Sequence, residues 1–209
     1  MSSLKNPKSM LFLYEGETEK EFYTLFLNKY IERRKIRTNF GNLNGVYDIN
    51  NKVESKIKAY LANSSFTDCS EINVFIAYDR EGDRNTETLL NVDQLRKNFS
   101  SGKRKSRISS INEIVATQDL ESWFFHDIEN IYKFLRVPKG RRNLKAYPNC
   151  EAVNNKILST LFHKYGKHYQ KGKRVRNFVS SLDLDKIYAN VVELQDTVNI
   201  MRSLYVSAS

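Results

Sequence analysis

Cysteine is scarce in this chain: Cys69 and Cys150 are the only two, and they lack the CxxC or cysteine–histidine spacing of a disulfide framework or zinc knuckle. Long apolar runs are missing as well, no window approaching the ~18 residues of a membrane span. The opening residues Met-Ser-Ser-Leu-Lys-Asn-Pro-Lys-Ser show no apolar core before a small-residue cleavage site, so a soluble cytoplasmic protein is expected. Histidine is limited to His126, His163 and His168, without metalloprotease spacing, and there is no GxSxG elbow, which removes the parts of a Ser–His hydrolase. Neither GxxxxGKS/T nor GxGxxG occurs, so the chain has no nucleotide-binding loop of its own.

What it has is positive charge. The 209 residues carry 34 Lys and Arg against 24 Asp and Glu, a net +10 with a pI near 9.5, and such a field attracts polyanions. The excess is uneven: residues 136–176 hold twelve Lys or Arg and one acid, Glu151. Smaller clusters lie at Arg33-Arg34-Lys35-Ile-Arg37 and Lys103-Arg104-Lys105-Ser-Arg107. Runs of this kind are commonly just solvated surface. Segregated from the acids, however, they point to phosphate-backbone contacts, with Arg141, Arg142, Lys171, Lys173 and Arg174 as candidates.

The acids collect elsewhere, beginning with Met10-Leu-Phe-Leu-Tyr-Glu-Gly-Glu-Thr-Glu-Lys-Glu-Phe22. Residues 10–14 read as a buried strand, Gly16 as a turn, and Thr18 with Glu21 as a capping box opening a helix, with Phe22, Leu25, Phe26 and Tyr30 on one face. A second strand near 35–40 and a helix near 49–62 follow. Glu71-Ile-Asn-Val-Phe-Ile-Ala-Tyr78 reads as a central strand buried on both faces, ending at Asp79-Arg-Glu-Gly-Asp83. Further helices are expected near 86–99, from 119, near 151–162 and over 184–205, with a strand near 111–116. In that last helix Ile187, Val191, Leu194, Val198 and Met201 suit internal packing, a homodimer or a partner surface equally. Alternating strands and helices imply an α/β fold with a mainly parallel sheet, residues 1–135, and a basic helical extension, 136–209, packed on the same domain.

Three strand ends therefore deliver carboxylates: Glu15 with Glu19, Asp79 with Glu81 and Asp83, and Asp119 with Glu121. In one parallel sheet they would converge at its C-terminal edge. Like charges so placed favour a hard divalent cation, Mg²⁺ or Mn²⁺, able to stabilise a phosphodiester and activate water. Plainer readings compete. Glu19 and Glu121 are also ordinary first-turn acids, Asp119 a helix cap, Glu81 and Asp83 turn residues, and Trp123, Phe124 and Phe125 core.

The order strand-Glu15-Gly16, then strand-Asp79-x-Glu81, resembles the TOPRIM domain of topoisomerases, bacterial primases and OLD-type nucleases. Glu15-Gly-x-Thr-Glu19, Asp79-Arg-Glu-Gly-Asp83 and Leu120-Glu-Ser-Trp-Phe124 resemble more closely the small standalone TOPRIM-like proteins related to RloB and AbiL of phage-defence loci, over about residues 9–135. The resemblance implies a Rossmann-like fold and a metal site of Glu15, Asp79 and Glu81, to which the residue pattern of the second acid-rich turn adds Asp83. Glu19 and Glu121 would be further catalytic acids, and an ATPase of ABC or SMC-like type the partner. Glu81 departs from the aspartate usual at its position. The expected activity is a metal-dependent nuclease of an anti-phage system, on DNA or RNA and possibly tRNA. The alternative is a catalytically silent nucleic-acid-binding, regulatory or toxin subunit of an ATPase complex.

Overall fold

A computed structural model describes residues 8–32, 36–63, 69–100 and 107–206. The basic clusters at 33–35 and 103–105 lie outside the described residues. Four strands, β1 (Lys8–Tyr14), β2 (Arg37–Asn42), β3 (Glu71–Asp79) and β4 (Ile108–Ala116), form one sheet in the order β2-β1-β3-β4, every pair parallel. The helices are α1 (Glu17–Tyr30), α2 (Ile49–Ala62), α3 (Val92–Ser100), α4 (Glu121–Phe124), α5 (Ile128–Phe134), α6 (Asn155–Lys164), α7 (Arg176–Val179), α8 (Leu184–Asn190) and α9 (Val192–Val206). This is an α/β Rossmann-like fold.

Strand periodicity explains the layers. Successive side chains point to opposite faces, so Met10, Phe12 and Tyr14 of β1 and Phe75 and Ala77 of β3 pack with Phe22 and Phe26 of α1. Leu11 and Leu13 of β1 and Val74, Ile76 and Tyr78 of β3 pack with Val53 and Ile57 of α2 and Leu95 of α3. Both central strands are apolar on both faces because both faces are covered. The C-terminal third joins the first of these cores through Leu158 and Phe162 of α6, Phe178 of α7, Ile187 of α8 and Leu194 and Val198 of α9. Trp123, Phe124 and Phe125 are buried there too. No described helix is long and apolar enough to cross a membrane.

The strand order fixes where a ligand would bind. From β1 the chain crosses through α1 to β2 on one side, while β3 lies on the other, so the C-terminal ends of β1 and β3 flank the crevice at the topological switch point.

Several boundaries differ from the periodicity. The helix expected from about 86 starts at Val92. Before it, Asp83 Oδ1 accepts the amides of Asn85 and Thr86 at 2.8 and 3.2 Å, and Arg80 Nη1 donates to the carbonyls of Arg84 and Thr86, which commits that backbone to a loop. α6 begins at Asn155 because the Asn154 side chain caps the amides of Lys156 and Ile157. The long terminal helix breaks at Val191, in extended conformation. Gln195 Nε2 donates to the last carbonyls of α8, and the Val191 carbonyl starts α9. No capping box closes α1, whose N-cap is Gly16.

Candidate active site

Glu15 follows β1 directly, and its Oε2 accepts the amide of Asp79, the last residue of β3, at 3.0 Å. Asp79, only 6% exposed, in turn accepts the Leu120 amide on Oδ1 at 2.9 Å. Three strand ends are thus joined through two carboxylates. Pairing continues beyond β3 and β4, from Arg80 N to Ala116 O, Glu81 N to Gln118 O and Gln118 N to Gly82 O, at 2.9, 3.0 and 2.8 Å. Glu81 and Gln118 take left-handed φ of 56° and 62° to allow it. This knitting carries Asp119 and Glu121 to the side of Asp79.

Glu19 lies in the first turn of α1, also 6% exposed. A Cβ on residue 16 would stand 3.0 Å from Glu19 Oε2, tighter than ordinary contact, so Gly16 leaves room for that carboxylate. Glu121 has no exposure at all. Asp119 uses Oδ2 to accept the main-chain and side-chain amides of Asn155 at 2.7 and 2.8 Å, tethering the start of α6.

The basic segment before α7 closes over these acids. Thr18, expected to cap α1, instead accepts the Gly172 amide at 2.9 Å across 154 residues of sequence. Gly172 has φ +83°, a conformation glycine adopts without steric cost. The Tyr169 hydroxyl donates to Glu121 Oε1 at 2.7 Å, and Lys171 Nζ lies 3.4 Å from the same oxygen. Arg176 Nη1 pairs with Glu21 of α1 at 3.5 Å.

Crowding carboxylates away from water makes each harder to ionise. Glu19 is raised to about 7, by burial first and then by the charges of Glu121 and Glu15. Asp79 is driven well above the aspartate range by burial and then by Glu19, Glu15 and Glu121. Burial also raises Glu15, Asp119 and Glu121. For Glu15 the Asp79 amide opposes this rise and the Glu81 charge adds to it. At Lys171 burial disfavours the ammonium, yet Glu121, Asp79, Asp119 and Glu19 outweigh it and raise its pKa. Asp119 Oδ1 and Glu121 Oε2 are buried without a hydrogen-bond partner in the protein.

Glu15 and Glu121 thus each lie within electrostatic reach of Glu19 and Asp79. Glu81 stands exposed at the rim, within electrostatic reach of Glu15, while Asp83 is engaged in its own loop. Of the basic candidates, Lys171 reaches the acids. Arg142 Nε bonds the Val137 carbonyl at 2.8 Å, Arg174 Nη1 the Gln170 side chain at 3.3 Å, and Arg141 and Lys173 are exposed. Among the described residues no group of three or more His, Cys, Asp or Glu is arranged to hold a metal ion. The donor set, all hard oxygen with surplus negative charge and two orphaned oxygens, suits Mg²⁺ or Mn²⁺ in type and charge. Sequence reasoning missed Tyr169 and the tether between Thr18 and Gly172, because such contacts leave no local pattern.

Residues 14–202 match the family model described as Domain of unknown function (DUF4276). No curated protein and no solved structure matches the chain.

Proposed function

The chain belongs to the DUF4276 family, and from the acidic edge of its sheet we propose that it is a divalent-metal-dependent phosphodiester hydrolase acting on DNA or RNA. The observation that carries this reading is that Glu15, Glu19, Asp119 and Glu121 all lie within electrostatic reach of Asp79 at the switch point, beneath Lys171, in a chain of net charge +10. Uncompensated buried carboxylates cost stability, and a cation with an anionic substrate relieves that cost.

Glu15, Asp79 and Glu121 would hold the ion, with Glu19 and Asp119 beside them and Glu81 at the rim. When bound, Mg²⁺ or Mn²⁺ supplies Lewis acidity toward a phosphoryl oxygen and a more acidic water. The protein's own part is positioning. Glu15 and Asp79 lock the ends of β1, β3 and β4 together, Tyr169 fixes the Glu121 carboxylate, and burial excludes bulk water. Glu19, titrating near pH 7 in the absence of a cation, is suited to accept or return a proton at neutral pH. Basic side chains of the C-terminal third, Arg141, Arg142, Lys173 and Arg174 among them, would grip phosphates as point charges or forks. The TOPRIM-like order of motifs supports the same chemistry. It also supports the narrower reading of an anti-phage nuclease working with an ATPase that provides the nucleotide-binding loop this sequence lacks.

The test is incubation of end-labelled plasmid, single-stranded DNA and bulk tRNA with purified protein, in Mn²⁺ and in EDTA, beside Asp79→Asn. Cleavage that requires both the metal and Asp79 supports the reading and names the substrate. Cleavage that persists in EDTA or in the variant refutes it.

A further inference from the structure

We infer that an aromatic hollow beside the acidic edge seats one unpaired nucleobase, so that the substrate strand is single or unpaired where the protein holds it. This rests on the reading of the chain as a nucleic-acid hydrolase. The hollow, about 400 Å³, lies where α5, α6, α7 and the segment joining α6 to α7 converge, and its walls include the rings of Phe134, Phe162, Tyr169 and Phe178. Those rings stand against one another, with centroids 5.1 Å apart for Phe162 and Phe178, 5.2 Å for Phe134 and Phe178, and 5.3 Å for Phe162 and Tyr169. Phe162 and Phe178 are each 3% exposed and floor the space, while Phe134 and Tyr169 are half-buried and reach its mouth. The volume falls within the span of small-ligand sites, roughly 300–1,000 Å³, whose linings are likewise aromatic and apolar with a few polar groups.

Charge and position set the occupant. None of the described residues lining the hollow is acidic, and Lys167 and Arg174 are among them. Lys167 Nζ stands 4.4 Å over the Phe134 ring and donates to the Phe134 carbonyl, which pins a cation at the aromatic wall with donors to spare. Arg174 gives Nη1 to the Gln170 side chain at 3.3 Å, leaving most of its guanidinium fork for a phosphate oxygen. A flat π-faced group joined to an anion answers both features at once, and a nucleobase on its sugar-phosphate is such a group. An aliphatic side chain or a free phosphate would answer only one. Tyr169 ties the hollow to the acidic edge: its ring lines the first, and its hydroxyl donates to Glu121 Oε1 at 2.7 Å in the second. A base in the hollow therefore lies one tyrosine side chain from Glu121, which brings the adjoining backbone to the edge. A base paired within a duplex has to be turned out of its stack before it can enter, so the hollow favours strands whose bases are already free.

The experiment is fluorescence anisotropy of labelled oligonucleotides with the full chain in EDTA, where binding is read without cleavage. The probes are a mixed-sequence single strand, the same sequence as a duplex, and a strand of equal length made only of abasic units, each with wild type, Tyr169→Leu and Tyr169→Phe. Circular dichroism verifies folding. A single strand carrying 2-aminopurine, whose emission is quenched on stacking, reads the same contact in wild type should Tyr169→Leu not fold. Wild type and Tyr169→Phe, which keeps the ring, are expected to bind the single strand at least about fivefold more tightly than the abasic strand or the duplex. In Tyr169→Leu the single and abasic strands should bind within about twofold of each other, and 2-aminopurine should be quenched by wild type. Equal binding of single and abasic strands by wild type, tighter binding of the duplex, a base preference that survives in folded Tyr169→Leu, or unquenched 2-aminopurine overturns the inference and leaves the hydrolase reading to its cleavage test. Wild type that binds none of the three probes overturns the inference together with the nucleic-acid reading.

Discussion

Replacing Glu19 by glutamine should stabilise this protein at alkaline pH, although the side chain lies in a region proposed to be catalytic. Glu19 is 6% exposed, and burial with the neighbouring Glu121 and Glu15 charges lifts it from 4.5 to about 7. Its folded-state pKa lies above its unfolded value, so between those limits the folded protein binds more protons than the unfolded chain. Stability then falls as pH rises from about 4.5 through about 7, and above that the whole cost of ionising the buried group is present. The gap corresponds to about 3 kcal/mol, an order-of-magnitude figure. Glutamine is a neutral near-isostere of the protonated acid. At pH 5 Glu19→Gln should melt close to wild type, and at pH 8 higher by roughly 6–12 °C for a chain of this size. Thermal unfolding in EDTA at both pH values measures the difference, with metal excluded so that no cation does the work of the substitution. A variant that melts at or below wild type at pH 8, or whose advantage is the same at pH 5, refutes the electrostatic account of the cluster.

Other substitutions probe its supports. Thr18→Val removes the acceptor of the Gly172 amide and should cost about 1–3 kcal/mol, read as a lower urea midpoint together with faster proteolysis in the 165–175 segment. Gly16→Ala places a Cβ 3.0 Å from Glu19 Oε2. Its backbone is extended, φ −150°, so unfolding should shift by less than about 1 kcal/mol while metal-dependent turnover falls by about tenfold or more from the displaced carboxylate. Phe178→Ala empties a ring packed against Phe124, Phe134, Phe162 and Tyr169 and should cost about 3–5 kcal/mol in chemical denaturation. The damage should extend to the site because Tyr169 is one of those rings.

Where local pattern and tertiary role agree, the sequence was informative. An apolar run that stops at a carboxylate marked Glu15 and Asp79, because a strand buried on both faces must be apolar throughout and its end is where a sheet meets ligand. Glu121 belongs to the same acid-rich pattern, but its complete burial depends on Tyr169 and Lys171 arriving from 48 and more residues away. Thr18 and Asp119 show the limit most clearly. Both have the form of helix caps, and both make their principal side-chain bonds to distant backbone, at Gly172 and Asn155. Local chemistry identifies a good acceptor without saying which donor reaches it first. The break at Val191 is illegible for a related reason: the apolar spacing runs unbroken from Ile187 to Met201, and only the Gln195 side chain on the carbonyls of Tyr188 and Ala189 reveals that two helices share it.

The claim that the sheet's acidic edge is a hydrolytic centre is tested most directly by single-turnover cleavage in Mn²⁺ with Glu15→Gln, Asp79→Asn and Glu121→Gln, beside Glu87→Gln, an exposed acid of the loop before α3. Loss of about a thousandfold or more in each of the first three, with full activity in Glu87→Gln and native circular dichroism throughout, is the predicted result. Undiminished cleavage by any of the three edge variants would contradict it.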